Sequence, residues 1–215
     1  MAGGIVHRMR PAAQLLLIEA DAIRPLLESL GPSQFDEPTV CTGWSVRDVI
    51  AHCGAALSMT AADEHRGYSP SENEVDVEFR RALPLSDVLD ELFAGYASAA
   101  TQIDLAGGRL DGIGLGEWIH GGDVREAVAA PRPYTSEGIE LAFDLLFERS
   151  RIIQGTPCLN TLVDGRSRRF GDTGESVGVL TTDLETFVRL CGGRRPDPDR
   201  YQLSGASASD LALFH

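Results

Sequence analysis

Gly43-Trp44-Ser45-Val46-Arg47-Asp48-Val49-Ile50-Ala51-His52 is the stretch whose reading decides the fold. Ser45 and Asp48 stand three apart ahead of an apolar run. This is the spacing of a capping box, in which a hydroxyl caps the first turn and an acid three residues on reaches back to the cap, with Asp here for the preferred Glu. Trp44 before the cap and Val49 at the fourth helical position are placed for a hydrophobic staple. The helix continues through Ile50, Cys53, Leu57 and Thr60, and carries His52 on the flank of its apolar stripe.

Upstream, Pro11 to Leu30 repeats apolar residues at helical spacing (Leu15, Leu16, Ile23, Leu27), with Pro11 suited to a first turn. Pro25 inside that pattern is expected to kink or divide the helix, and Gly31-Pro32 ends it. Downstream, Glu64 to Glu78 is polar and acidic with Pro70, and reads as a loop. A third helix is expected from about Ser86 to Ala100, with Val88, Leu89, Leu92, Phe93 and Tyr96 at 3,4 spacing. Gly107-Gly108 breaks the chain. A fourth helix, about Leu115 to Ala129, contains Glu117-Trp118-Ile119-His120-Gly121-Gly122-Asp123-Val124-Arg125. Each of its paired glycines costs about 1 kcal/mol in a helix interior, which points to close packing or a ligand against that surface. Four amphipathic helices make a helical bundle of residues 1–132.

Pro131-Arg132-Pro133 marks the boundary. Beyond it the sequence predicts a helix from about Ser136 to Ile153, then a hairpin of Leu159–Asp164 and Arg166–Phe170 about Gly165. A strand at Ser176–Leu180 follows, then a helix opened by Thr182-Asp183-Leu184-Glu185 and stopped by Gly192-Gly193, and a last strand at Tyr201–Leu203. Residues 133–215 thus form a small α+β unit, and the fold class is α+β.

The 215 residues carry 19 Lys and Arg against 32 Asp and Glu, a net charge of −13 with a pI near 4.7. That balance argues against nucleic acid or an anionic membrane as partner, since both require clustered positive charge. No apolar run approaches the roughly 18 residues of a membrane-spanning helix, and no secretory leader is evident, so a cytoplasmic protein is expected, monomeric or homodimeric. Cys41, Cys53, Cys158 and Cys191 form no Cys-x-x-Cys pair and read as reduced, half-buried residues, Cys53 and Cys191 as core. A metal would therefore need histidine and carboxylate. Of the five histidines, His7 and His215 lie near the ends, and His65 reads as exposed between Glu64 and Arg66.

Glu117 and His120 are three apart and share a helix face, while His52 lies on another helix. Inward-facing His and carboxylate from different helices are how metal sites are built in bundles, and His₂Glu leaves a divalent ion such as zinc an open position. The same spacing also fits hydrogen-bonded core histidines. Asp123, one turn after His120, could orient that imidazole or lie on the helix surface. Trp44 and Trp118 read as packing residues.

The run from Gly43 to His52 resembles the second-helix signature of the DinB-like, mycothiol-dependent maleylpyruvate isomerase family, Gly-Trp-Ser/Thr-Val-x-Asp-x-x-x-His. Ile119-His120-Gly121-Gly122-Asp123-Val124-Arg125 resembles its second motif, and Leu190-Cys191-Gly192-Gly193-Arg194-Arg195 is similar to the Leu-x-Gly-Arg element of its small sterol-carrier-like domain. The resemblance implies a DinB-like four-helix bundle followed by a small α+β domain, with His52 and His120 as metal ligands. It also implies a divalent metal, probably zinc in type, and mycothiol as co-substrate. The family places its acidic ligand four residues before the second His. Here that position is Gly116, and Glu117 is three before.

The implied chemistry is that of a metal-dependent thiol S-transferase or thiol-dependent isomerase acting on a small electrophile, since coordination lowers the pKa of a thiol and the thiolate is the nucleophile. An anionic substrate needs a local cation. Arg194 is the candidate, with Arg195 and Arg200 close enough to compete, and all three equally placed to sit beyond a helix C-terminus as a solvated basic loop. A metallohydrolase on the same bundle and a non-catalytic binding protein with a degenerate site are the alternatives.

Overall fold

The capping box at Ser45 forms as its spacing predicts. The Ser45 hydroxyl accepts from the Asp48 amide at 3.3 Å, and Asp48 Oδ2 accepts from the Ser45 amide at 3.0 Å. This computed structural model describes residues 8–64 and 69–214, so the expectations for His7, His65, His215 and the start of the chain lie outside the described residues.

Four long helices, α1 (Pro11–Ser29), α2 (Val46–Ala61), α4 (Leu85–Leu105) and α5 (Asp111–Ala127), pack as a bundle in which α1 and α2 each lie against both α4 and α5. Leu15, Leu16, Ile23, Val49, Leu57, Leu92 and Ile103 fill its core. Helix α1 runs through Pro25 undivided. Pro25 and Asp21, four residues earlier, both face solvent, so water can take the carbonyl that the missing N–H leaves unpaired.

The stretch expected as a loop contains a helix, α3 (Pro70–Arg81). Ser69 and Glu72 form a second capping box with Pro70 at the first helical position. Only Val77 of this helix is fully buried, so hydrophobic periodicity is nearly silent. Charge holds it instead: Arg81 reaches Asp48 of α2 at 2.9 Å, and Arg80 reaches Glu91 of α4 at 2.6 Å.

After the Pro131–Pro133 turn, α6 (Ile139–Ser150) lies between the two parts of the chain, packed on α1 and α5 on one side and on α7 (Leu184–Cys191) and β2 on the other. The sheet order is β2-β1-β3-β4, with β1 (Leu159–Val163) antiparallel to β2 (Arg166–Phe170), parallel to β3 (Gly178–Thr182), and β3 antiparallel to β4 (Tyr201–Leu203). Phe143 and Phe147 of α6, Phe170 of β2 and Phe187 of α7 form an aromatic core beneath it, with Phe147 and Phe187 stacked at 5.0 Å. Helix α7 starts one residue later than expected: Asp183, not Thr182, caps it, accepting from the Thr186 amide at 2.8 Å. Thr182 is spent as the last residue of β3, paired with Val163 and Tyr201.

The chain end returns to the bundle. The Leu213 amide donates to Cys191 O at 2.8 Å, and Arg149 Nε donates to Leu213 O at 2.9 Å. No described helix is long and apolar enough to cross a membrane.

Candidate functional site

Helices α2 and α5 bring His52 and His120 together, their rings meeting edge to face with centroids 5.1 Å apart. Trp44 lies across the other side of His52 at 5.1 Å, and its indole N–H donates to Glu74 of α3 at 2.9 Å. His52 is buried, and its ring nitrogens make no hydrogen bond among the described residues. Burial, reinforced by the nearby charges of His120, Arg194 and Arg80, pushes its pKa down to about 3, so the imidazole is neutral near pH 7.

Glu117, one turn before His120, is also buried. Burial, with a contribution from Glu19, raises its pKa to about 8 against the opposing hydrogen bond from the Cys53 thiol. Its Oε2 has no hydrogen-bond partner. An orphaned carboxylate oxygen in a buried site is costly unless a cation or donor meets it. Cys53 is thus a core residue, as expected, that also holds the other side of this carboxyl.

Asp123 is completely buried and gathers donors from four parts of the chain. His120 Nδ1 lies 2.9 Å from its Oδ2, Tyr134 Oη donates to Oδ1 at 2.6 Å, and the Cys41 thiol donates to Oδ2 at 3.2 Å. Arg194 donates through Nε to Oδ1 at 2.8 Å and through Nη2 to Oδ2. Burial alone would raise the Asp123 pKa, but the hydrogen bonds from His120 and Arg194 outweigh it and hold the carboxyl well below the usual range. A carboxylate at Nδ1 assigns the proton to that nitrogen and leaves Nε2 as the acceptor.

Cys41 reaches this cluster from the loop ahead of α2. A turn closed by Trp44 N donating to Cys41 O at 2.9 Å presents it, and Gly43 holds the φ of +84° that the turn requires. Burial, and then the Asp123 charge, push the Cys41 thiol up to about 12. Arg194 stands where the small unit meets the bundle, with Nη2 3.4 Å from His120 Nδ1 and 3.7 Å from Cys41 Sγ. Its remaining nitrogen, Nη1, donates to Gly192 O. Arg200 pairs instead with Asp183 at the surface.

The paired glycines are explained by packing. A Cβ on Gly121 would lie 1.8 Å from Glu19 Oε1, and one on Gly122 2.5 Å from the Tyr134 ring. Glu19 is itself fully buried and paired with Arg125 at 2.9 Å.

His52, Glu117 and His120 all line one cavity of about 320 Å³. It follows α5 past Gly116 to Gly112, where Arg149, Arg109 and Phe214 close it. His120 and Gly112 are eight residues apart, so the two ends lie about 12 Å apart along the helix. The three residues do not form a closed set of donor atoms. Among the described residues, the group whose donor atoms all lie within 4.8 Å of one another is Cys41, His120 and Asp123. Sequence reading passed over Cys41, Tyr134, Arg149 and Phe214. They come from segments far from the two histidines in the chain, and no spacing links them.

The comparisons with known proteins follow this geometry. A crystal structure of a mycothiol-dependent maleylpyruvate isomerase superposes with a TM-score of 0.60 at 16% identity, covering 95% of this chain and 96% of that one. The crystal structure of an H52A mutant of such an enzyme gives 0.59 at 14% identity, with the same coverage. These likenesses show the fold. No curated protein matches the chain. The family model described as the mycothiol maleylpyruvate isomerase N-terminal domain matches residues 16–132, which contain the bundle and every residue of the His52–Glu117–His120–Asp123 constellation. Since that match takes in more than half of the sequence, the chain belongs to the mycothiol maleylpyruvate isomerase N-terminal domain family.

Proposed function

We propose that this protein is an enzyme that uses mycothiol to isomerise, or to transfer sulfur to, a small electrophilic substrate held in the cavity beside His52 and His120, and that a divalent metal ion, zinc in type, serves the reaction. Its bundle is the domain of residues 1–132, and residues 133–215 form the smaller domain that covers the site. The observation that carries the reading is the Glu117 Oε2 without a partner, in a cavity wall that also presents two imidazoles, in a member of this family. The fold neighbours are named as mycothiol-dependent maleylpyruvate isomerases.

These residues fit a metal. His52 is neutral with both ring nitrogens unspent, His120 keeps Nε2 for a ligand while Asp123 holds Nδ1, and Glu117 has an oxygen that needs a cation. His52, His120 and Glu117 would hold the ion. The Cys41–His120–Asp123 group fits less well, because the Arg194 guanidinium already supplies the positive charge there and the Cys41 thiol stays protonated. When bound, the ion lowers the pKa of a thiol in its open position, which makes thiolate available near neutral pH.

The chain's own residues do the rest. Asp123 fixes the His120 ring through Nδ1, and Trp44 shields His52 from water. Arg194 supplies positive charge beside His120 for an anionic substrate, shared with Asp123. Addition of the thiolate to a conjugated C=C would form a C–S bond and move the π electrons onto the adjoining carbonyl oxygen. Rotation about the resulting single bond, followed by collapse and expulsion of the thiolate, completes an isomerisation with no net change in atoms.

Metal content of protein purified without chelator, and its melting temperature against added zinc, test this. The melting temperature should rise with the logarithm of free zinc. His52→Ala should abolish that rise, and Cys41→Ser should preserve it. Loss of the rise in Cys41→Ser with retention in His52→Ala would move the ion to the other donor group, and no metal response at all would favour a non-catalytic binding protein.

A further inference from the structure

The far end of the cavity carries a cation that nothing in the fold neutralises. Arg149 projects from the last turn of α6, with Nε spent on Leu213 O at 2.9 Å and its guanidinium over the Phe214 ring, Cζ 4.5 Å from the centroid. Its Nη1 approaches Gly112 so closely that a Cβ there would lie 2.4 Å away. Neither Nη atom makes a hydrogen bond or ion pair among the described residues. The nearest carboxylate in sequence on the other side, Asp111, is taken by Arg10 at 2.7 Å. Burial is the one influence on the Arg149 pKa, and it acts downward. Arg194, by contrast, is committed to Asp123 through two nitrogens and to a carbonyl through the third.

A half-buried guanidinium in a chain of net charge −13, with two donors turned toward a cavity and no acid beside it, is arranged for an anion from outside. Its two Nη groups form a planar fork that matches a carboxylate, while a neutral thiol has no charge to offer there. Arg109, exposed at the same end, adds a second positive charge at the mouth.

We propose that Arg149 is the anchor for a carboxylate of the substrate, so that the substrate class is a small carboxylic acid held by its carboxylate at the Gly112 end with its reactive carbon toward His52 and His120. This rests on the reading of the cavity as the substrate site. It makes Gly112 a specificity-determining position, because the missing side chain is what lets the guanidinium lie against α5.

Isothermal titration calorimetry of the full chain with succinate, and with uncharged succinamide as control, tests the proposal without any thiol. Failure of the thiol reading therefore leaves the result interpretable. Succinate should bind and succinamide should not. Arg149→Gln should weaken succinate by at least about tenfold, and Arg149→Lys, which keeps the charge and loses the fork, should fall between. Gly112→Ala should also weaken it while leaving the melting temperature unchanged or raised, because alanine is the better helix former and the arginine tip can swing away. His52→Ala should retain succinate binding, which distinguishes Arg149 from a metal as the anchor. Succinate affinity unchanged in both Arg149→Gln and Gly112→Ala, or lost in His52→Ala alone, would overturn the proposal, as would a native protein that does not distinguish succinate from succinamide.

Discussion

Arg194 and Asp123 are 71 residues apart and bound to each other through both carboxylate oxygens, Nε to Oδ1 at 2.8 Å and Nη2 to Oδ2. Asp123 lies on α5 of the bundle and Arg194 follows α7 of the small unit, so one buried ion pair ties the two parts together at the edge of the site. Because the same carboxylate orients His120 and takes the Tyr134 and Cys41 protons, the tether and the site share a single charge.

Removing that charge leaves Arg194 buried without a partner. Asp123→Asn should lower unfolding stability by about 3–5 kcal/mol, the usual cost of breaking a buried pair by one side. In a urea-unfolding cycle with Arg194→Ala, the two losses should fall well short of adding. Additive losses would mean that the pair contributes no coupling. The pH sense follows from the depressed Asp123 pKa. The stability it supplies is fully present above the unfolded value near 3.9 and is lost as pH falls through the lower folded value.

The two glycine types on α5 should respond in opposite ways. Gly121→Ala drives a Cβ into the buried Glu19–Arg125 pair, 1.8 Å from one oxygen and 2.8 Å from a guanidinium nitrogen, and should destabilise by at least about 1–3 kcal/mol. At Gly116 the nearest atom to a new Cβ is Phe214 Cε1 at 3.7 Å, so Gly116→Ala should leave stability unchanged or raise it by up to about 1 kcal/mol. Thermal unfolding of the two variants decides this, and equal effects would contradict it.

Glu19 predicts a pH slope of the opposite sign to Asp123. Burial lifts its pKa from 4.5 to about 7 despite the Arg125 charge and hydrogen bond. A carboxyl raised on folding gives stability that is fully present below the unfolded value and is lost as pH rises through the folded one. The stability of the native protein relative to Glu19→Gln should therefore decline between about pH 4.5 and about pH 7. A difference independent of pH over that window would show that Glu19 stays ionised in the folded chain.

Where local chemistry alone sets an element, the amino-acid sequence shows it plainly. The Ser45–Asp48 box starts α2, and the turn at Asp164-Gly165 sets the register Val163↔Arg166 of the β1–β2 hairpin. Helix α3 was hidden because Arg81–Asp48 and Arg80–Glu91 hold it where apolar residues would normally do so, although its capping box at Ser69-Pro70-Ser71-Glu72 was readable. The start of α7 was misplaced because Thr182, a good cap by type, is claimed by the sheet. In the site, His52, Glu117, His120 and Asp123 are visible because helical spacing puts each near a partner or inside a motif. Cys41 and Arg149 are not, because their neighbours lie 79 and 64 residues away and tertiary folding alone unites them.

The spectrum of the cobalt-substituted protein on addition of mycothiol tests the central claim, a metal position on His52, His120 and Glu117 that takes a thiol, most directly. A sulfur-to-metal charge-transfer band should appear with a pH midpoint well below the free-thiol value near 8.5, persist in Cys41→Ser and vanish in His52→Ala. A protein that holds cobalt and shows no such band with mycothiol at any pH up to that value would contradict the account.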